Sequence, residues 1–130
     1  MQNLVILAGN VGTEPETRAT RGGTSVTQFT LATSRPKRDS DGKVLKDNNG
    51  YRIEDTEWHR ITCFNGLGKT VAEHVGKGQK LLVRGRIHYT RWTDSDNIER
   101  FGVEIIADEV TFLTYARSQD EVPEDDEIPY

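Results

Sequence analysis

One cysteine, one methionine and four prolines in 130 residues exclude several kinds of protein at once. With Cys63 alone there is no intrachain disulfide framework, so the chain is not a stapled secreted scaffold, and a reducing compartment suits it. The nearest other soft ligand, His59, lies four residues away. On an extended strand that is about 13 Å, too far to share one ion, so no metal or cofactor is expected. His59 reads as a core or subunit-interface histidine, and Cys63 as an inert, inward-facing thiol. No apolar run approaches the ~20 residues of a membrane helix, and Leu4 to Ala8 is too short even for a signal peptide. A cytoplasmic protein is expected. Apolar residues make up only 34% of the chain. That allows one domain with a modest core and favours association of subunits.

An excess of positive charge is also missing: the formal net charge is −4. The deficit is local, however. Residues 114–130 hold six acids and one base (Arg117), whereas residues 1–113 hold 16 basic and 15 acidic residues. A near-neutral body thus carries an acidic tail, and the total says little about what the body binds. The tail ends Glu124-Asp125-Asp126-Glu127-Ile128-Pro129-Tyr130. It has almost nothing to bury and reads as disordered. Charge, a rigid proline and an aromatic carboxyl end suit Asp125, Asp126, Glu127, Ile128, Pro129 and Tyr130 to docking in a basic pocket of another protein. The domain division is therefore 1–113 for the folded body and 114–130 for linker and docking tip.

Along the body, residues 3–11 form an apolar run stopped by Gly12, a strand signal. Residues 13–24 read as a loop carrying Arg18 and Arg21. Residues 26–34 alternate and are rich in β-formers, with Pro36 closing the strand. Residues 37–55 form a long polar hairpin loop. Strands follow at 56–64, 80–90 and 101–113, the last bent near Ala107-Asp108. The single helical pattern covers residues 67–75, with Leu67, Val71 and Val75 at i+4 spacing and Gly76 and Gly78 as stops. No internal repeat is found. The order β-β-β-α-β-β matches an all-β fold, a five-stranded Greek-key OB barrel with one short helix between the third and fourth strands.

Alternation sorts the side chains of two of these strands. In 56–64, Trp58, Arg60, Thr62 and Phe64 share one face, and His59, Ile61 and Cys63 the other. In 80–92, Lys80, Leu82, Arg84, Arg86, His88, Thr90 and Trp92 oppose Leu81, Val83, Gly85, Ile87 and Tyr89. One face of each is apolar and belongs in the core; the other mixes large rings with cations. Rings on neighbouring strands, interleaved with Arg and Lys, suit unpaired nucleic acid. Every base has a π-face to stack, and cations contact the phosphates.

The run Thr56-Glu57-Trp58-His59-Arg60-Ile61 with Phe64 resembles the signature of bacterial single-stranded DNA-binding proteins. So do Gly9-Asn10-Val11-Gly12, Pro15-Glu16, Arg18, Thr30-Leu31-Ala32-Thr33-Ser34, Lys77-Gly78, Arg91-Trp92-Thr93-Asp94 and the acidic tip. The resemblance implies a homotetramer that wraps single-stranded DNA in replication, repair and recombination. It implies stacking by Trp58, Phe64 and Trp92, and phosphate contacts from Arg18, Arg60, Lys77 and Arg91. His59 would lie near a subunit interface, and the tip would recruit other genome-maintenance proteins. Arg21, Arg35, Lys37, Arg38, Arg84 and Arg86 are further candidate phosphate contacts. The chain departs from the pattern in places. Arg35-Pro36-Lys37-Arg38 stands where many relatives carry an aromatic, and Tyr51 in the long loop is a candidate substitute. Tyr130 replaces a terminal Phe, and the linker is short. These traits fit a phage or plasmid version. The competing reading is an OB-fold assembly protein with weak DNA binding whose tail is its main working part. An enzyme is not expected: Asp94, Asp96 and Glu99 cluster, but without a histidine base or a two-metal arrangement.

Overall fold

A computed structural model describes residues 1–114. The docking tip expected at residues 125–130 lies outside the described residues. Seven elements follow in order: β1 Val5–Val11, β2 Glu16–Ala19, β3 Ser25–Pro36, β4 Glu54–Phe64, α1 Asn65–His74, β5 Lys80–Thr93 and β6 Glu99–Phe112. The strands pair in the order β1-β5-β6-β4-β3-β2, and a further β1–β3 pairing closes five of them into a barrel. This is the OB architecture that the strand count and helix position imply. All pairings are antiparallel except β4–β6, where Ile61↔Ile105 and Thr62↔Ile106 run parallel.

The apolar half of each alternating strand fills the barrel. Leu31, Ile61, Cys63, Leu81 and Val83 are completely buried, and Val71 and Val75, from α1 and the residue after it, pack against the same cluster. Burial pushes the Cys63 thiol up to about 12, because an anion there would lose its hydration.

Residues 13–24 are not the plain loop their composition implies, since they contain β2. All four of its residues are exposed, so no apolar alternation announces it; its conformation comes from pairing with β3, as Arg18↔Val26 and Glu16↔Gln28. β1 and β2 occupy the same edge of β3 and act as one interrupted strand. Across the interruption Gly12 N–H donates to Thr30 O (2.8 Å), and Thr30 N–H donates to Thr13 Oγ1 (3.0 Å).

Tyr89, expected on the apolar face of its strand, is 75% exposed. β5 and β6 have 14 residues each, about 46 Å at 3.3 Å per residue. They outrun the barrel, and their far ends form a free-standing arm. The bend expected at Ala107-Asp108 is a bulge: Arg84 pairs with Glu109 and Gly85 with Ala107, leaving Asp108 over. β4 and β5, expected to be neighbours, are separated by β6.

Candidate nucleic-acid interface

Barrel closure turns one half of every alternating strand outward, and register then decides which outward side chains meet. On β4, Trp58 lies opposite Ala32, Arg60 opposite Thr30, Thr62 opposite Gln28 and Phe64 opposite Val26. β2 extends one of these rows, giving Arg18–Val26–Phe64. On the other side, Thr62 pairs with Ile106, which pairs with Arg86. The same outward set of the β5–β6 ribbon continues through His88–Glu104 and Thr90–Gly102 to Trp92–Arg100. Trp58, Phe64 and Trp92 therefore share one curved face although β6 intervenes. They are 64%, 38% and 48% exposed, too open for core residues. Along β4, Trp58 and Phe64 stand six residues, about 20 Å, apart.

Each indole has a glycine beneath it. A Cβ on Gly12 would stand 2.5 Å from Trp58 Cζ3, and one on Gly102 would stand 3.1 Å from Trp92 Cζ3. The glycines let both rings lie flat across a neighbouring strand. Between the rings a polar chain crosses three strands. Gln28 Nε2 donates to Thr62 Oγ1 (3.1 Å), which donates to the Glu104 carboxylate. Beside Trp58, where β3 leaves β1, a cleft of about 530 Å³ opens between Gly9, Asn10, Ala32, Thr33 and Lys80.

The expected cations fall into distinct places. Arg18, Arg60 and Arg86 are exposed on the aromatic face. Lys77 reaches its edge on a loop tied to the 12–15 crossing, its N–H donating to Glu14 Oε1 (3.1 Å). Arg21 lies in the turn between β2 and β3, and Arg35, Lys37 and Arg38 gather at the far end of β3. Among the described residues none of these eight is within ion-pair distance of a carboxylate. Arg84 and Arg91 are placed differently. Arg84 pairs with Glu109 (3.5 Å) beyond the bulge. Arg91 lies on the reverse of the arm from Trp92, bound to Glu99 (2.9 Å) and 5.8 Å over the Phe101 ring. His59 sits at the barrel end with Nε2 2.8 Å from Thr33 Oγ1.

The long loop at residues 37–53 is folded. Lys37 N–H donates to Ile53 O (2.8 Å), Leu45 N–H to Lys37 O (2.8 Å), and Ile53 N–H to Leu45 O (3.0 Å), closing a ring of three bonds. Tyr51 projects from this arm, 71% exposed. On the β5–β6 arm the Asp94 carboxyl is held below its usual range, first by the N–H of Ile98 and then by the Arg100 guanidinium. Composition gave no sign of the glycine seats, because their need arises only when strand register brings a ring over a glycine elsewhere in the sheet.

Residues 2–113 match the model of the single-strand binding protein family. The chain is 38% identical over 111 residues to the single-stranded DNA-binding protein of Xanthomonas axonopodis pv. citri, covering 85% of this chain and 57% of that protein. It is 40% identical over 111 residues to that of Xylella fastidiosa, covering 85% and 63%. The chain thus spans about three fifths of the length of these relatives. Among solved structures, that titled Plasmodium falciparum SSB complex with ssDNA superposes with a TM-score of 0.73 at 27% identity, covering 88% of this chain and 96% of that one. With a closed OB barrel, ringed outward face and nearly the whole body inside the family's pattern, the chain belongs to the single-strand binding protein family.

Proposed function

We propose that this chain binds single-stranded DNA without sequence preference and protects it during replication, repair and recombination. The observation that carries this reading is the single outward face on which Trp58, Phe64 and Trp92 alternate with exposed Arg18, Arg60 and Arg86. Bases stack on the rings whatever their identity, and the cations release counterions as they meet phosphates. Lys77, Arg35, Lys37, Arg38 and Arg21 extend the phosphate path around the rim, and Tyr51 offers a further ring on the long arm. Arg84 and Arg91, already paired, contribute less.

Subunit association completes the reading. Leu4 and Ile6 are 50% and 58% exposed at the start of the chain, on or just before β1. His59, bonded to Thr33 beside β1, belongs to the same region. Covering that region with further copies gives a homo-oligomer, a tetramer in this proposal, with several faces for one strand to wrap. Residues 114–130 act as a short tether whose tip, Asp125 to Tyr130, docks on replication, repair and recombination proteins.

Titration with oligo-dT tests the binding. Quenching of tryptophan fluorescence with steep salt dependence is expected, and retention of affinity in Trp58→Ala/Trp92→Ala refutes it. Deleting residues 125–130 separates this reading from an assembly protein with weak DNA binding. Here DNA binding survives the deletion or improves, because a competing polyanion is gone.

A further inference from the structure

Among the described residues, one five-residue turn is closed by an aspartate three times, beginning at Asp39, Asp47 and Asp94. At Asp47 the carboxylate Oδ1 accepts the N–H groups of Asn49 (2.9 Å) and Tyr51 (3.0 Å). The Asp47 N–H donates to Tyr51 O (2.8 Å), and Gly50, at φ 83°, closes back on Asp47 O (3.0 Å). The Asp39 and Asp94 turns repeat the pattern, with positive φ at the fourth residue each time. Such side-chain-to-backbone bonds define a turn without help from packing.

The Asp47 copy differs in what it holds. Its fifth residue is Tyr51, and both backbone polar groups of Tyr51 are bound by Asp47. The turn stands on an arm fixed to the Trp58 end of β3 and β4, whose root at Pro36 and Glu54 lies four residues, about 13 Å, beyond Trp58. A carboxylate on such an arm repels phosphate, and asparagine could make the same turn without charge. What a carboxylate adds is stronger, charge-assisted hydrogen bonds.

We infer that Asp47 is a positioning residue for nucleic-acid stacking. It fixes Tyr51 in place before DNA arrives, so that the ring binds a base without the cost of ordering a loop. The inference rests on the single-stranded DNA reading above.

A double-mutant cycle on the full chain, read by oligo-dT affinity, tests it. Tyr51→Ala is expected to weaken binding about tenfold, within the range for one stacked base. Asp47→Ala gives about three- to tenfold, and Asp47→Asn, which keeps the acceptor but loses the charge-assisted bonds, falls between the parent and the Ala variant. In the Tyr51→Ala background, Asp47→Ala costs less than about twofold. An undiminished loss in that background, no loss at all in Asp47→Ala, or an Asn variant as weak as the Ala variant would each overturn the assignment. Trp58→Ala, measured alongside, separates the two levels. If it binds like the parent, the stacking reading falls and the role of Asp47 with it. If it weakens binding while the cycle is additive, only the role of Asp47 falls.

Discussion

Gly12→Ala moves the Trp58 indole without removing it. The added methyl would stand 2.5 Å from Cζ3 and 3.0 Å from Cε3 of Trp58, and 2.8 Å from Thr30 Oγ1. Ordinary contact begins near 3.4 Å, so the ring must retreat by about 0.9 Å, the difference between 3.4 and 2.5 Å. Gly12 is not among the residues at positive φ, so alanine meets no backbone penalty and the effect is steric. Thr30 Oγ1 donates to Thr13 Oγ1 (3.2 Å) in the bridge joining β1 to β2 and cannot yield freely. The exposed indole therefore tilts outward. Overpacking of this kind costs about 1–3 kcal/mol of stability. Deleting a stacked ring costs about 1–3 kcal/mol of binding per base, and a tilted ring should lose part of that, roughly 3- to 30-fold in affinity. The assay is oligo-dT titration by fluorescence at several salt concentrations, with Trp58→Ala as reference. Because no phosphate contact is touched, the salt slope should stay as in the parent. Parent-like affinity for Gly12→Ala beside a weakened Trp58→Ala would refute the idea that the glycine seat sets the ring's pose.

The remaining expectations are independent of that ring. Arg18→Gln and Arg60→Gln should each reduce the slope of log affinity against log salt by about 0.7. Arg84→Gln and Arg91→Gln, whose charges already meet Glu109 and Glu99, should leave it nearly unchanged; equal slopes for all four would show that ion pairing does not sort these residues. Leu31→Ala and Ile61→Ala, at completely buried positions, should each lose about 2–5 kcal/mol in denaturant unfolding. Replacing Leu4 and Ile6 together by Ser should lower the solution mass measured by light scattering, and an unchanged mass would remove that surface from the interface.

Where periodicity was strong, sequence and structure agree. Trp58, Arg60 and Phe64 turn outward while Ile61 and Cys63 are buried, because a closed barrel needs one apolar face and alternation supplies it. The helix was legible from Leu67, Val71 and Val75. β2 was not, because its four exposed residues owe their extended shape to β3. Tyr89 was misplaced because alternation gives the face of a residue but not where the barrel ends along a strand. The placing of Trp58 and Trp92 on one face was right in kind but wrong in route. Strand order is a long-range property, and β6 intervenes. The Asp39, Asp47 and Asp94 turns went unread inside stretches that read as plain loop, although Asp followed three residues later by Gly or Asn is a local signal with a physical basis.

The lone sulfhydryl at Cys63 is walled in on every side and keeps its proton to about pH 12. Maleimide chemistry at neutral pH will therefore pass it by in the native protein. A cysteine introduced at Ser40 on one arm or Ser95 on the other would be the sole reactive handle on an otherwise unaltered background. Dyes placed there could test in real time whether a DNA strand bends around the proposed assembly, with no need to remove the native cysteine first.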